Sequence, residues 1–338
     1  MIKPLEVKYT PKDFSTDQDV RWCPGCGDYA VLAAVRKALP ELQTRREDTV
    51  FVSGIGCAAR FPYYMNTYGM HSIHGRAPAF ATGIKLANPD LQVWVVSGDG
   101  DLLSIGGNHT IHAMRRNLDI NIVLLNNRIY GLTKGQYSPT SEFGKRTKST
   151  PMGSVDYPIH PLNTAVAAGA TFIARCVDKE VNLLTEIMQR AAEHKGLSFI
   201  EVLQDCNVFN HQAWAYASEK GQKEDSTLQL EHGKPLVFGA DRNKGIRSHN
   251  GRLEIVSLEG GEIEDDLLVH DETDRTLAYS LAQLERPDFP EPLGVLYCNQ
   301  DREPYEQLVW SQMDHARERA GEPDLMKLFT DTETWRVD

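Results

Sequence analysis

The sequence predicts an α/β fold in which a parallel sheet is covered by helices on both faces. Three observations carry that expectation. Short, almost wholly apolar runs at 49–53, 92–97, 121–125 and 198–203 read as strands buried on both sides. The segments at 29–39, 77–87, 108–117 and 181–194 carry helical spacing between them. Glycine- or asparagine-rich loops follow the strands. Buried strands alternating with helices build parallel sheets, and ligands bind such sheets beyond the carboxyl ends of their strands.

Taken in order, residues 1–20 are polar and irregular. Trp22-Cys23-Pro24-Gly25-Cys26-Gly27 forms a tight loop, after which Asp28 is expected to cap the helix 29–39. The strand 49–53 ends in Gly54-Ile55-Gly56-Cys57, and small residues make up the helix 77–87. The strand 92–97 gives way to Gly98-Asp99-Gly100-Asp101. The helix 108–117 leads to the strand 121–125 and then to Asn126-Asn127. Asp178 is expected to cap the helix 181–194, which precedes the strand 198–203. Beyond Cys206 the pattern weakens, with apolar runs at 253–258 and 293–297 among charged stretches such as 262–266. The chain therefore divides into a main domain over 1–210 and a C-terminal extension over 211–338, packing on that domain or on a partner.

Composition narrows the function. The 338 residues, 41% apolar and 25% charged, suit a globular protein. The net charge of −11 is uneven: residues 211–338 carry 27 acidic and 14 basic side chains (−13), leaving +2 for the rest. Nucleic acid is a poor partner for such a chain, because phosphate binding wants clustered Lys and Arg. The acidic tail reads as solvated surface. No apolar run approaches the roughly 18 residues of a membrane span, and the N-terminus lacks the apolar stretch of a secretory signal. The expected location is the cytoplasm, with no membrane partner. For six cysteines in such a chain, metal or catalytic use is a better expectation than disulfides.

Two consecutive parallel strands deliver Asp99 and Asn127 to one edge of the sheet. Magnesium takes oxygen ligands and commonly binds one or two carboxylates together with phosphates. Asp99 supplies the charge, the Asn127 amide a neutral oxygen, and the Ile129 carbonyl a third donor. The glycines Gly98 and Gly100 let backbone approach a diphosphate closely. Gly98-Asp99-Gly100, a spacer of 25 residues and Asn126-Asn127 resemble the thiamine-diphosphate signature, in which the second Asn binds the metal. A rival signal, Gly54-Ile55-Gly56-Cys57-Ala58-Ala59, resembles a dinucleotide fingerprint. That reading needs an acidic residue about 20 positions on, and none stands between Asp48 and Asp90. It fails.

Cys23 and Cys26 share one turn, while Cys57 and Cys206 follow two of the strands. If those strands are parallel, the four thiols meet. Four thiolates suit structural zinc or a [4Fe–4S] cluster, and spacing alone leaves both open. The thiamine site favours the cluster, because thiamine chemistry makes an electron donor that needs an acceptor. Cys176 and Cys298 read as ordinary buried thiols.

Together these motifs resemble the beta subunits of the 2-oxoacid:ferredoxin oxidoreductases. The resemblance runs from Trp22-Cys-Pro-Gly-Cys-Gly27 through Gly54-Ile-Gly-Cys57, His74-Gly-Arg-Ala77, Gly98-Asp-Gly-Asp101 and 126–136 to Asp205-Cys206, in the family's order. Arg60-Phe-Pro-Tyr-Tyr64 looks most like the 2-oxoglutarate branch, with pyruvate or mixed 2-oxoacids as the alternative substrates. The resemblance implies a thiamine-diphosphate-binding fold and a single [4Fe–4S] cluster on Cys23, Cys26, Cys57 and Cys206. It also implies magnesium on Asp99, Asn127 and the Ile129 carbonyl. Ile55, Gly56, His74, Gly98, Gly100, Asp101, Gly131, Leu132 and Thr133 would line the cofactor. Lys134 and Gln136 stand close behind. Arg60 would face the substrate carboxylates and, with His74, act in catalysis. Coenzyme A and ferredoxin would be co-substrates, and an alpha subunit would supply the other half of the thiamine site. The basic stretch 145–148 reads first as a solvated loop and second as a ferredoxin contact. Two further readings are a non-redox thiamine decarboxylase or synthase with structural zinc, and a scaffold subunit without chemistry.

Overall fold

The computed structural model describes residues 8–258, 266–322, 324–335 and 337. Residues 1–7 and all but Asp266 of the charged stretch 262–266 lie outside them. Six strands run parallel: β1 (Thr49–Ser53), β2 (Tyr68–His71), β3 (Gln92–Gly98), β4 (Ile120–Asn126), β5 (Phe172–Val177) and β6 (Ser198–Leu203). With β7 (Thr227–Gln229) and β11 (Glu291–Cys298) they form one eight-stranded sheet in the order β2-β1-β3-β4-β6-β5-β11-β7. β11 lies antiparallel to β5 and parallel to β7. A second sheet is made of β8 (Val237–Phe238), β9 (Lys244–His249) and β10 (Arg252–Ser257).

The strands read as unbroken apolar runs because each buries both faces. Val52, Val95, Ile122 and Leu124 enter one core with the helices Ala77–Ala87, Gly107–Arg116, Pro161–Ala168 and Arg275–Leu281. Their neighbours Phe51, Trp94, Val96 and Val123 enter the other, with the helices Asp28–Ala38 and Val181–Glu193. Period-two side-chain alternation thus divides one apolar sequence between two cores. The expected strands and helices in this region are present, with ends shifted by a residue or so. Among the described residues no helix is long and apolar enough to cross a membrane.

Residues 211–338 contribute β7 and β11 to the main sheet, and Leu228, Ala278 and Leu296 to its first core. Three details depart from expectation. The strand β5 was not foreseen, because Arg175 interrupts its apolar pattern. That guanidinium is buried between Glu201 of β6, 2.7 Å from Nε, and Glu291 of β11, so it binds the C-terminal strand to the parallel sheet. Asp28 does not cap its helix: Gly27 occupies the N-cap, and Asp28, the first helical residue, turns its buried carboxyl inward. Asp178 does not cap either. Glu180 holds the N-cap, and the Asp178 carboxylate accepts the Asp205 N–H at 2.9 Å.

Candidate active site

A cavity of about 520 Å³ opens beyond the carboxyl ends of β1, β3 and β4. Parallel strands β1 and β3 sit side by side, and so do β3 and β4, so their trailing loops converge from distant stretches of chain. Ile55, Gly56 and Cys57 form one wall, Gly98, Asp99, Gly100 and Asp101 the floor, and Asn127, Ile129, Gly131, Leu132 and Thr133 the opposite wall. His74 and Gln136 also line it. Arg60 and Lys134 are not part of this wall; Arg60 is exposed one turn beyond Cys57.

Asp99 is buried, and its Oδ2 accepts hydrogen bonds from the hydroxyls of Ser138 (2.5 Å) and Thr140 (2.6 Å). Burial nonetheless pushes its carboxyl up to about 6, against those lowering contacts. A cation beside such a group would favour its ionised form. Across the cavity the Asn127 side chain is fixed from both sides. Its Oδ1 accepts the Ile129 N–H at 3.1 Å and its Nδ2 donates to Gln204 Oε1 at 2.9 Å. Oδ1 has a second lone pair for a ligand. A carboxylate and an amide oxygen are hard donors of the kind magnesium takes, and both line the cavity. The Tyr130 ring packs directly on Gly100, where an added Cβ would come within 2.3 Å of it.

The Asp101 carboxylate is committed to protein partners. Oδ1 takes the Gly75 N–H (2.7 Å) and pairs with His74 Nδ1 (2.5 Å), and Oδ2 takes the Ser97 hydroxyl (2.6 Å). A carboxylate on Nδ1 fixes the tautomer and orientation of the ring, leaving Nε2 as its other functional atom.

Four cysteines lie near one another beside the cavity, with Cys57 in its wall. Burial and the neighbouring Asp28, Cys206 and Cys57 charges push the Cys26 thiol upward. Burial, with Asp28, Cys206 and Cys23, takes Cys57 up to about 12. Gly131 touches the group, since a Cβ there would lie 3.5 Å from Cys206 Sγ and 3.7 Å from Cys57 Sγ. Among the described residues, no three His, Cys, Asp or Glu side chains converge on one point that could hold a single metal ion. Four neighbouring thiols could hold either a metal ion or an iron–sulfur cluster. Cys176 and Cys298 lie apart, Cys176 against the Val177 carbonyl and Cys298 at 4.0 Å from His194.

Residues 54–202 match the family model of the thiamine pyrophosphate enzyme C-terminal TPP-binding domain. The 2-oxoglutarate oxidoreductase subunit KorB of Mycobacterium tuberculosis is 50% identical over 331 residues, 97% of this chain and 88% of its own length. The chain belongs to the 2-oxoacid:ferredoxin oxidoreductase beta subunits. Within that family, subunit beta of the 2-oxoacid:ferredoxin oxidoreductase 1 of Aeropyrum pernix is 51% identical over 56% of this chain and 59% of its own. A solved 2-oxoglutarate:ferredoxin oxidoreductase from Magnetococcus marinus, with 2-oxoglutarate, coenzyme A and succinyl-CoA bound, superposes with a TM-score of 0.77. It is 32% identical, over 96% of this chain and 97% of that one. The α/β fold inferred from the strand pattern is thus the thiamine-enzyme fold, and the chain is a subunit of a multi-subunit enzyme.

Sequence reasoning missed four residues that shape this family's site here. Asp28 lines the cavity with an unpartnered Oδ2, and burial lifts its carboxyl to about 7. Ser138 and Thr140 hold Asp99 from an irregular segment with no periodic signal. Gln204 follows β6 directly, one residue past the Leu203 that pairs with Asn126, and only its place two residues before Cys206 could have singled it out.

Proposed function

We propose that this chain is the beta subunit of a 2-oxoglutarate:ferredoxin oxidoreductase. With an alpha subunit it converts 2-oxoglutarate and coenzyme A to succinyl-CoA and carbon dioxide, passing two electrons to ferredoxin, in either direction. The observation that carries the reading is Cys57, which is at once a wall of the cavity and a member of the four-cysteine group. A cofactor seated over Asp99 and Asn127 would lie against the electron acceptor. The 50% identity to a 2-oxoglutarate oxidoreductase subunit along nearly the whole chain supports the choice of 2-oxoacid.

The residues divide the work. Asp99, Asn127 and the Ile129 carbonyl would hold magnesium, which neutralises a diphosphate. Ile55, Gly56, Gly98, Gly100, Gly131, Leu132 and Thr133 shape a largely apolar lining for the cofactor. When bound, thiamine diphosphate supplies the electron sink for decarboxylation. His74, oriented by Asp101, presents Nε2 as a proton carrier at the cavity wall. Cys23, Cys26, Cys57 and Cys206 would ligate one [4Fe–4S] cluster. Zinc is the weaker reading of the same thiols, because thiamine chemistry makes an electron donor that needs a nearby acceptor. Exposed Arg60 meets substrate carboxylates only if the alpha subunit closes over that rim. The same subunit would supply the carboxylate that thiamine enzymes place against the aminopyrimidine ring.

The test is made on the complex purified without oxygen. Iron, acid-labile sulfide and 2-oxoglutarate-dependent, coenzyme A-dependent reduction of ferredoxin are measured, with pyruvate as the competing substrate. About four irons per beta chain and preference for 2-oxoglutarate are expected. A colourless zinc protein would refute the redox assignment, and faster turnover of pyruvate would refute the substrate.

A further inference from the structure

Asn127 and Cys26 serve different groups, yet one side chain touches both. Gln204 is 1% exposed and sits immediately after β6, its N–H donating to the Asn126 carbonyl at 3.0 Å. Its Oε1 accepts from Asn127 Nδ2 at 2.9 Å. Its Nε2 donates to the Asp205 carbonyl at 2.8 Å and to Cys26 Sγ at 3.3 Å.

The direction of every bond in this chain is fixed by backbone. The Ile129 N–H can only donate, so Asn127 must turn Oδ1 toward it and Nδ2 toward Gln204. The Asp205 carbonyl can only accept, so Gln204 must turn Nε2 toward it, and Nε2 then also faces the sulfur. Two amides held between a fixed donor and a fixed acceptor have one satisfied arrangement. Space for it comes from Gly27, where an added Cβ would lie 2.9 Å from Gln204 Cγ and 2.0 Å from Asp178 Oδ2.

We propose that Gln204 is a positioning residue for both redox partners of the reaction. Its carbonyl keeps the Asn127 amide oxygen aimed into the cavity, and its amide N–H stabilises charge on the Cys26 sulfur. The inference rests on the proposed function, in which Asn127 binds magnesium and Cys26 a cluster iron. A hydrogen bond to a cluster sulfur favours the reduced, more negative state and raises the reduction potential. Partners behind a metal ligand, when removed, typically lower metal affinity by about 10–100-fold. One buried amide therefore sets the affinity of the donor site and the potential of the acceptor together.

The test replaces Gln204 by Met, which keeps length and volume but removes both polar atoms. Gln204→Met complex is purified without oxygen. The cluster potential is read by EPR-monitored titration, and magnesium-dependent thiamine diphosphate binding by calorimetry. A potential more negative than wild type, together with binding weaker by about tenfold or more, is expected. Unchanged potential in a variant with full iron content, or unchanged cofactor affinity, overturns the inference and leaves the proposed function standing. A wild-type complex without iron overturns both. If the variant fails to assemble, wild-type complex carrying glutamine labelled with ¹⁵N at the side-chain amide answers instead. Hyperfine coupling of that nitrogen to the reduced cluster is expected, and its absence overturns the inference.

Discussion

Replacing Arg175 by Met tests whether the C-terminal portion is bound to the sheet by a buried charge. Burial pulls the Arg175 guanidinium down, but Glu201 and Glu291 more than offset it and hold the group charged well above its ordinary range. Each carboxylate has one further donor: Asn126 Nδ2 reaches Glu201 at 2.7 Å, and the Tyr216 hydroxyl reaches Glu291 at 3.1 Å. Arg175→Met leaves both carboxylates buried without a cation. Breaking a buried ion pair from one side costs about 3–5 kcal/mol. At about 2–4 °C per kcal/mol for a chain of this order, the melting temperature should fall by roughly 6–20 °C. The pH dependence identifies the cause. Without the cation, burying two neighbouring carboxylates costs most when both carry charge. The gap between variant and wild type should therefore narrow as pH falls from about 8 to about 5. Adding Glu201→Gln and Glu291→Gln to Arg175→Met should recover most of the loss at neutral pH, since no charge is then stranded. Scanning calorimetry of the complex measures all three. A loss below about 2 °C, or a gap independent of pH, would refute the reasoning.

Other outcomes follow from the same geometry. Asp99→Asn should weaken magnesium-dependent thiamine diphosphate binding by more than about tenfold with an unchanged circular dichroism spectrum, as titration calorimetry can check. Cys57→Ser should lose cluster iron and also perturb cofactor binding, because Cys57 lines the cavity; loss of iron alone would separate the two sites. Gly100→Ala drives a methyl to within 2.3 Å of the Tyr130 ring, an overpacking cost of about 1–3 kcal/mol measurable by thermal unfolding. Asp101→Asn removes the carboxylate that orients His74, so kcat/KM should fall by about 10²–10⁴ with a changed pH profile, while cofactor affinity moves little.

What the sequence reveals and what it hides have the same origin. The ends of β1, β3, β4 and β6 were legible because a parallel strand covered on both faces must be apolar throughout, and a functional loop begins where that run stops. Asp99, Asn127, Cys57 and Cys206 stand at or soon after such breaks, so their positions along the chain report their meeting in space. β5 hid because its function needs a charge: Arg175 breaks the apolar pattern and satisfies its guanidinium only through Glu201 and Glu291, the latter 116 residues away. Ser138, Thr140 and Gln204 hid for a related reason. None belongs to an apolar strand run, and all act only through groups already in place, Ser138 and Thr140 from the turn Ser138-Pro139-Thr140-Ser141. Direct ligands are announced by the backbone geometry that presents them. The residues that aim those ligands become visible only when the hydrogen bonds of Asp99, Asn127 and Cys26 are followed one partner outward.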